Sequence, residues 1–534
     1  MSDLHYFKSE WVQKSDERLT VDVCIYGGTS AGVSAAVTVA RAGKSVVILN
    51  PAKAVGGLTT GGLGETDFGR KHVIGGFSRE FYRAAGKHYG LEEEFKFEPH
   101  VASAVFEAML KEHQIDVRPC QFIDRAETQG GRIIAVTMLG GLRVEASVFI
   151  DATYEGDLLA KAGVSYFVGR EDNSVYGETL SGVQVTKTHQ FSHPVDPYVK
   201  PGDSASGLLP YIVNEDLNKS IGKGDKRVQA YCFRMCMTND PSLRIAWEKP
   251  EGYDPAQYVL AARWFAGEKD DYNDLLSSTR PEWNPRKFDK FPNKTPGGFR
   301  KTDTNNHGPI SSDFIGANHE WPDGSYERRE EIFQAHVTYQ KGYYWFMANS
   351  PEIPERYRAV YNEWGLPNDE FDDTNHWPHA LYVREARRMV GDYVITEHDC
   401  RGVRVPTDVI GMGSYGMDSH NCSRFVTIGD DGKARVLNDG DVQVHGFPPY
   451  GVPYRCITPK RTECTNLLVP TCVSSSHIAY GSARMEPVFM VLGQSAATAA
   501  CMAIDAKSSV QDVPYGKLRE RLLAAGQVLE NTGG

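Results

Sequence analysis

The segment from Val21 to Asn50 constrains the fold of this chain more than any other. Residues 21–26, VDVCIY, form a mostly apolar run rich in β-branched side chains, as a buried strand does, and the run breaks abruptly into Gly27-Gly28-Thr29-Ser30-Ala31-Gly32. VSAAVTVARAGK follows, with small apolar residues at helical spacing, and stops at Gly43, where a helix takes its left-handed C′ glycine. SVVILN then reads as a second buried strand. Strand, glycine turn, helix and strand within about 30 residues make the βαβ unit of a doubly wound α/β fold.

A dinucleotide-binding turn needs glycine because the backbone must bend sharply, approach a pyrophosphate closely and let the helix pack on the strand. Here Thr29 occupies the middle glycine position of GxGxxG, and the βαβ context carries the assignment more than the glycines do. At the end of the second strand, where an acidic residue usually holds the adenosine ribose, the chain has Asn50, whose amide can both donate to and accept from sugar hydroxyls.

A second glycine-rich loop, GGLTTGGLGETDFG, runs from Gly56 to Gly69. Pro99 to Glu112 reads as an amphipathic helix with a strand, IDVRPC, after it; Gln121 to Gly141 reads as a hairpin around Gly130-Gly131; SVFIDAT ends as a strand at Thr153. Between about residues 166 and 395, Trp, Tyr, Pro and Asn become common and βαβ periodicity disappears. There the stretch Thr279 to Pro322 reads as loops near a site, with helices expected over Arg328 to Met347 and around Glu385. NLLVPTCVS (466–474) then reads as a buried strand and PVFMVLGQSAATAACMAI (487–504) as a helix packed through small residues. The expected organisation is a nucleotide-binding domain at 20–165, an inserted α+β substrate or cap domain at 166–395, a returning part of the first domain at 396–505, and a C-terminal helix and tail at 506–534.

Bulk properties remove several function classes. A chain of 534 residues exceeds one ordinary core, since cores stop growing near ~250–300 residues, and 41% hydrophobic with 24% charged residues is a globular balance. A net charge of -11 argues against a nucleic-acid partner, which needs a basic face. The opening MSDLHYFKSEWVQKSDERLT has neither a basic leader nor an apolar core, and no stretch approaches 18 uninterrupted apolar residues, so a cytoplasmic protein without a membrane partner is expected. The 10 cysteines are scattered from Cys24 to Cys501; Cys232/Cys236 and Cys464/Cys472 lack CxxC spacing, and reduced structural thiols are expected.

The blocks YGGTSAGVSAA, GGLTTGGLGETD, IDATYEGDLLAKAG with GRE, REARRMVG, DSHN and YGSARMEPVFMVLGQSAATAA occur in that order between residue 21 and about 505. Together they resemble the FAD-dependent oxidoreductase family related to glutathione reductase-like and fumarate reductase-like flavoproteins. The resemblance implies a Rossmann-like, glutathione reductase-like FAD-binding domain and an FAD cofactor. It implies that Gly27, Gly28, Thr29, Ser30, Ala31 and Gly32 meet the pyrophosphate, and that Asn50 meets the adenosine ribose. It further implies that Gly57, Leu58, Thr59, Thr60, Gly61 and Gly62 lie along the ribityl and isoalloxazine side. Ala152 and Thr153, after Asp151, would pass the adenine half, and the helix starting at Glu486 and Pro487 would aim its positive end at the flavin, where reduced flavin carries negative charge.

Other candidates rest on residue chemistry. Arg384, Arg387 and Arg388 stand at i, i+3 and i+4, one helical face that reads as an ion-paired stripe or a carboxylate clamp. Glu65 and Asp67 read as solvated acids, with acid/base work as the second reading. Asn305 and Asn306 beside His307, together with Arg384, Asn421 and Tyr480, are substrate-binding candidates; His477 is a site or packing residue. His420, between Asp418 and Asn421, is the candidate for proton transfer because imidazole titrates near neutral pH, the other reading being a hydrogen-bonded turn of Asp418, His420 and Asn421 that braces the domain junction; Arg484 is the candidate for stabilising developing negative charge. The expected function is hydride transfer between FAD and a small, alcohol or carbohydrate-like substrate. A flavin monooxygenase using NAD(P)H and oxygen, and a non-catalytic flavin-binding protein, are the alternatives, and the oligomeric state stays open.

Overall fold

The computed structural model describes residues 4–269 and 298–533. Its central sheet is built outward from β1 (Arg18–Tyr26), which leads through the glycine turn into α1 (Ser30–Arg41) and β2 (Val46–Leu49). α1 ends at Ala42, and Gly43 follows at φ 74°, the left-handed conformation that stops a helix. Next come α2 (Gly76–His88), α3 (Pro99–Glu112) and β3 (Asp116–Arg118). A meander of β4 (Ile123–Gln129), β5 (Arg132–Met138) and β6 (Arg143–Asp151) completes this part. Gly130 and Gly131, at φ 58° and 73°, make the two-residue turn between β4 and β5.

The strand order is β3-β2-β1-β6-β5-β4. β3, β2, β1 and β6 are parallel, with Tyr26 opposite both Leu49 and Asp151, while β4 and β5 run antiparallel. The parallel strands are apolar on both faces because both faces are covered. Val23, Ile25, Ile48, Val148 and Ile150 point into the core shared with the helices, whereas Cys24, Tyr26, Val47, Leu49 and Phe149 point into the core under the meander.

A second apolar core is built around α4 (Tyr326–Asn349), with Tyr231, Phe233, Trp264 and Trp377 fully buried in it. Ser325 caps α4 by accepting the Arg328 N–H at 3.2 Å. Of the loop-rich stretch expected from Thr279, residues 279–297 lie outside the described residues; beyond them, Lys301–Thr304 pairs antiparallel with Met235–Thr238. The chain then comes back to the first sheet. Leu467–Leu468 (β7) pairs parallel with β6, and α5 (His477–Ala483) leads into α6 (Glu486–Ala506). α6 is long and apolar enough to cross a membrane, with mean hydropathy 1.5, yet 89% of that window is buried inside the fold, much of it against α1. The contact is close because Gly493 lies on Ala31: a Cβ at 493 would stand 2.3 Å from the Ala31 carbonyl oxygen.

The expectation of a helix around Glu385 is corrected. Arg387–Met389 is a strand, paired antiparallel with Tyr166–Val168, so Arg384, Arg387 and Arg388 do not share a helical face. The physical reason is that each guanidinium has its own distant carboxylate. Arg384 pairs with Asp313 at 2.8 Å, Arg387 with Asp157 at 2.7 Å and Arg388 with Glu171 at 2.8 Å. The cysteines are all free.

Candidate functional site

The site begins where β1 hands over to α1. Gly27 sits at φ 104°, and a Cβ there would lie 2.7 Å from the Ala152 carbonyl carbon. At Gly32 the clash would be harsher, 2.0 Å from the Gly27 oxygen. Thr29, the residue in the middle glycine position, earns its place as the N-cap: its hydroxyl accepts the Gly32 N–H at 3.3 Å and donates to the Ala152 carbonyl at 2.7 Å. Asn50 braces the same turn from β2, accepting the Gly28 N–H at 2.9 Å and donating to the Ala54 carbonyl at 2.8 Å. The positive end of α1 is thus set in a fixed turn, a position that favours an anionic phosphate.

Glu486, the first residue of α6, ties three other segments to this turn. Its carboxylate accepts from the hydroxyls of Ser30 at 2.5 Å, Thr59 at 2.8 Å and Tyr154 at 2.7 Å. Burial lifts its pKa above the usual carboxylate range, and the Ser30, Tyr154 and Thr59 hydroxyls pull it part of the way back. Tyr154 also accepts the Leu58 N–H at 3.0 Å, and a Cβ at Gly57 would stand 2.3 Å from that same hydroxyl. Both glycine loops, the end of β6 and the start of α6 therefore converge.

Beside them opens a cavity. Gly27, Gly28, Thr29, Asn50, Gly57, Leu58 and Thr153 line it. The glycine cradle and the positive end of α1 fit the pyrophosphate of a dinucleotide. Ala31, Gly32 and Ala152 pack one layer behind, and Pro487 is buried in the first turn of α6. Thr60 donates to the Val55 carbonyl at 2.6 Å. Gly61 and Gly62 pack against Ala380 and Arg234. Tyr154 also lines the cavity, as do Pro51 to Ala54, His379, Ala380 and a segment around Trp11, which no motif marks.

Beyond the second glycine loop lies a buried polar cluster. Tyr382 packs on Leu58 and Leu63 and accepts from Arg484 Nη1 at 2.7 Å. Arg484 also donates to the Asp418 carbonyl at 3.1 Å. His420 Nδ1 meets Asp313 at 2.8 Å, while its Nε2 stands 3.7 Å from the Asp418 carboxylate, too far for a hydrogen bond. Burial would raise Asp313, but Arg384 and His420 override it and hold the carboxyl well below its ordinary range. Asp418 is likewise depressed against burial, by His420, Arg484 and Arg384. Gln229 Oε1 accepts the His420 N–H at 3.0 Å, fixing the ring from the main chain. Among the described residues, Nε and Nη1 of Arg384, Nε of Arg484, Nη1 of Arg234 and Nε2 of Gln229 are buried without a hydrogen-bond partner.

Asn305 belongs to this cluster, accepting from Arg384 at 3.2 Å, and Asn306 beside it is buried. Asp67 is half-buried; burial raises its pKa, with Arg234 opposing and Asp418 adding to the shift. Glu65 instead pairs with Lys96 at 3.5 Å. Tyr480 is a core residue whose hydroxyl donates to the Thr471 carbonyl at 3.1 Å, and buried Asn421 offers its carbonyl to the Ala230 N–H at 2.9 Å. His477 is held between Glu385 at 2.9 Å and the Ser419 hydroxyl at 3.0 Å.

Several solved structures share part of this fold. L-proline dehydrogenase from P. horikoshii is 14% identical, over 29% of this chain and 59% of its own, with a TM-score of 0.24. THI4 from Thermovibrio ammonificans is 19% identical, over 28% and 66%, at 0.23. A flavin-containing monooxygenase from Stenotrophomonas maltophilia is 19% identical, over 29% and 43%, at 0.21. The match thus spans less than two thirds of the length of each of these proteins. No curated protein sequence matches the chain. The sequence profile described as FAD dependent oxidoreductase matches residues 22–522, nearly its whole length. The chain therefore belongs to the FAD dependent oxidoreductase family: it is an enzyme, and its cofactor is FAD.

Proposed function

We propose that the enzyme transfers a hydride between FAD and a small, hydroxyl-bearing organic substrate, with His420 moving the accompanying proton. FAD, when bound, supplies the hydride acceptor. Gly27 to Gly32 would hold its pyrophosphate, the Asn50 end of β2 its adenosine, and Gly57 to Gly62 the flavin side, as in a glutathione reductase-like fold. The positive end of α6 favours negative charge there. The middle region, 166–395, would act as an inserted cap that supplies Asn305, Asn306 and Arg384 to the substrate.

The observation that carries this reading is the buried Asp313–His420 pair. Asp313 takes Nδ1, and Nε2, which stands 3.7 Å from the Asp418 carboxylate, would be the atom that exchanges a proton with a substrate hydroxyl. Beside it, the buried donors of Arg384 and Arg484 that lack a hydrogen-bond partner would be satisfied by substrate oxygens. Asn421 would help to orient the ring's neighbourhood rather than react.

The test is an anaerobic screen of polyols, sugars and hydroxy acids against the purified enzyme, read as bleaching of flavin absorbance. Bleaching by a hydroxyl compound without NAD(P)H is expected. Substrate-stimulated NAD(P)H consumption with oxygen, and no anaerobic bleaching, would make it a monooxygenase instead.

A further inference from the structure

The family match begins at residue 22, so the segment from Leu4 to Val12 lies outside it. The segment is nonetheless firmly held. Leu4 and Phe7 are buried, and the Glu330 carboxylate of α4 accepts the N–H groups of Tyr6 and Phe7 at 2.7 and 3.0 Å and meets His5 Nδ1 at 2.6 Å. Gln334 donates to the Leu4 carbonyl at 2.8 Å, and Arg329 donates to the Tyr6 hydroxyl at 3.1 Å. Anchored in this way to the second core, the segment reaches across to the first one.

There His5, Tyr6 and Trp11 become a wall of the same cavity that Gly28, Asn50 and Ala54 line. In a βαβ unit the end of the second strand is where the adenosine of a dinucleotide lies, and β2 ends beside Asn50. Trp11 is half-buried, with Lys53 Nζ 4.4 Å and Lys8 Nζ 5.7 Å from its ring centroid. An indole with ammonium groups over its ring suits a purine attached to an anionic pyrophosphate: the ammonium groups would turn to the phosphates and the purine would take the aromatic face.

We propose that Leu4–Val12 is a strap over the adenosine half of FAD, in which Trp11 supplies the face that meets the adenine and Glu330 holds the strap shut. FAD release then requires the strap to lift.

The test follows FAD release from purified holoenzyme after dilution, by the rise in flavin fluorescence. Trp11→Ala is expected to release FAD roughly tenfold faster, the loss of one stacking contact. Trp11→Phe, which keeps an aromatic face, should stay within about twofold of wild type. Glu330→Ala, which frees the strap without altering the cavity wall, should also accelerate release. A wild-type release rate in either Trp11→Ala or Glu330→Ala overturns the proposal, as does equal acceleration by Trp11→Phe and Trp11→Ala.

Discussion

His420 owes its proposed role to what holds it. The main chain is fixed by Gln229 and Nδ1 by Asp313, whose charge is in turn set by Arg384. The carboxylate is therefore more than a spacer. Asp313→Asn keeps the shape but removes the charge beside the ring, and flavin reduction by substrate should slow by about a hundredfold with FAD content unchanged. Stopped-flow absorbance measures it; a wild-type rate would mean that the pair only braces the domain. Residue-scale reading of the sequence found His420 through its chemistry, but not Asp313. Its partner lies 107 positions away, and no local pattern encodes that distance.

At the scale of elements, the crossing of α1 with β1 and α6 decides whether the cradle exists. Gly32→Val would press a side chain onto the Gly27 carbonyl, and overpacking of this kind costs about 1–3 kcal/mol or more. The variant should lose FAD and thermal stability together; normal flavin content with an unchanged melting temperature would contradict the packing. A second element-scale contact joins the two cores: Asp157, just after β6, pairs with Arg329 of α4 at 2.7 Å and with Arg387 at 2.7 Å. Burial opposes its charge, but Arg329 and Arg387 prevail and push its pKa down to about 2 from 3.8. A depressed carboxylate contributes stability that is fully present above its unfolded pKa and lost as pH falls through the folded one. The pair is thus worth about 2 kcal/mol near neutral pH, fading between roughly pH 4 and pH 2. Melting curves of wild type and Asp157→Asn should differ at pH 7 and converge near pH 2; a gap that persists at pH 2 would assign the effect to packing.

Over the whole molecule, local signals and long-range ones divide what was legible. Val21 to Asn50 announced its βαβ unit because every part of it, strand, turn, helix and cap, is encoded within a few neighbouring residues. The Gly130-Gly131 hairpin and α6 were legible for the same reason. Arg384, Arg387 and Arg388 misled, since their helical spacing competes with three separate ion pairs and the pairs win. Nothing near Asp67 in sequence shows the Arg234 and Asp418 charges that act on it. The strap around Trp11 was missed for want of any motif. The account joins a cofactor cradle built from local signals to a polar cluster built from distant ones, and its central claim is that substrate chemistry happens where they meet, at His420. The most direct test is the anaerobic rate of flavin reduction by a bleaching substrate, measured against pH in wild type and His420→Ala with FAD content matched. The account predicts a loss of about a hundredfold or more and a flattened pH profile in the variant; a variant that keeps both the wild-type rate and its pH profile would contradict it.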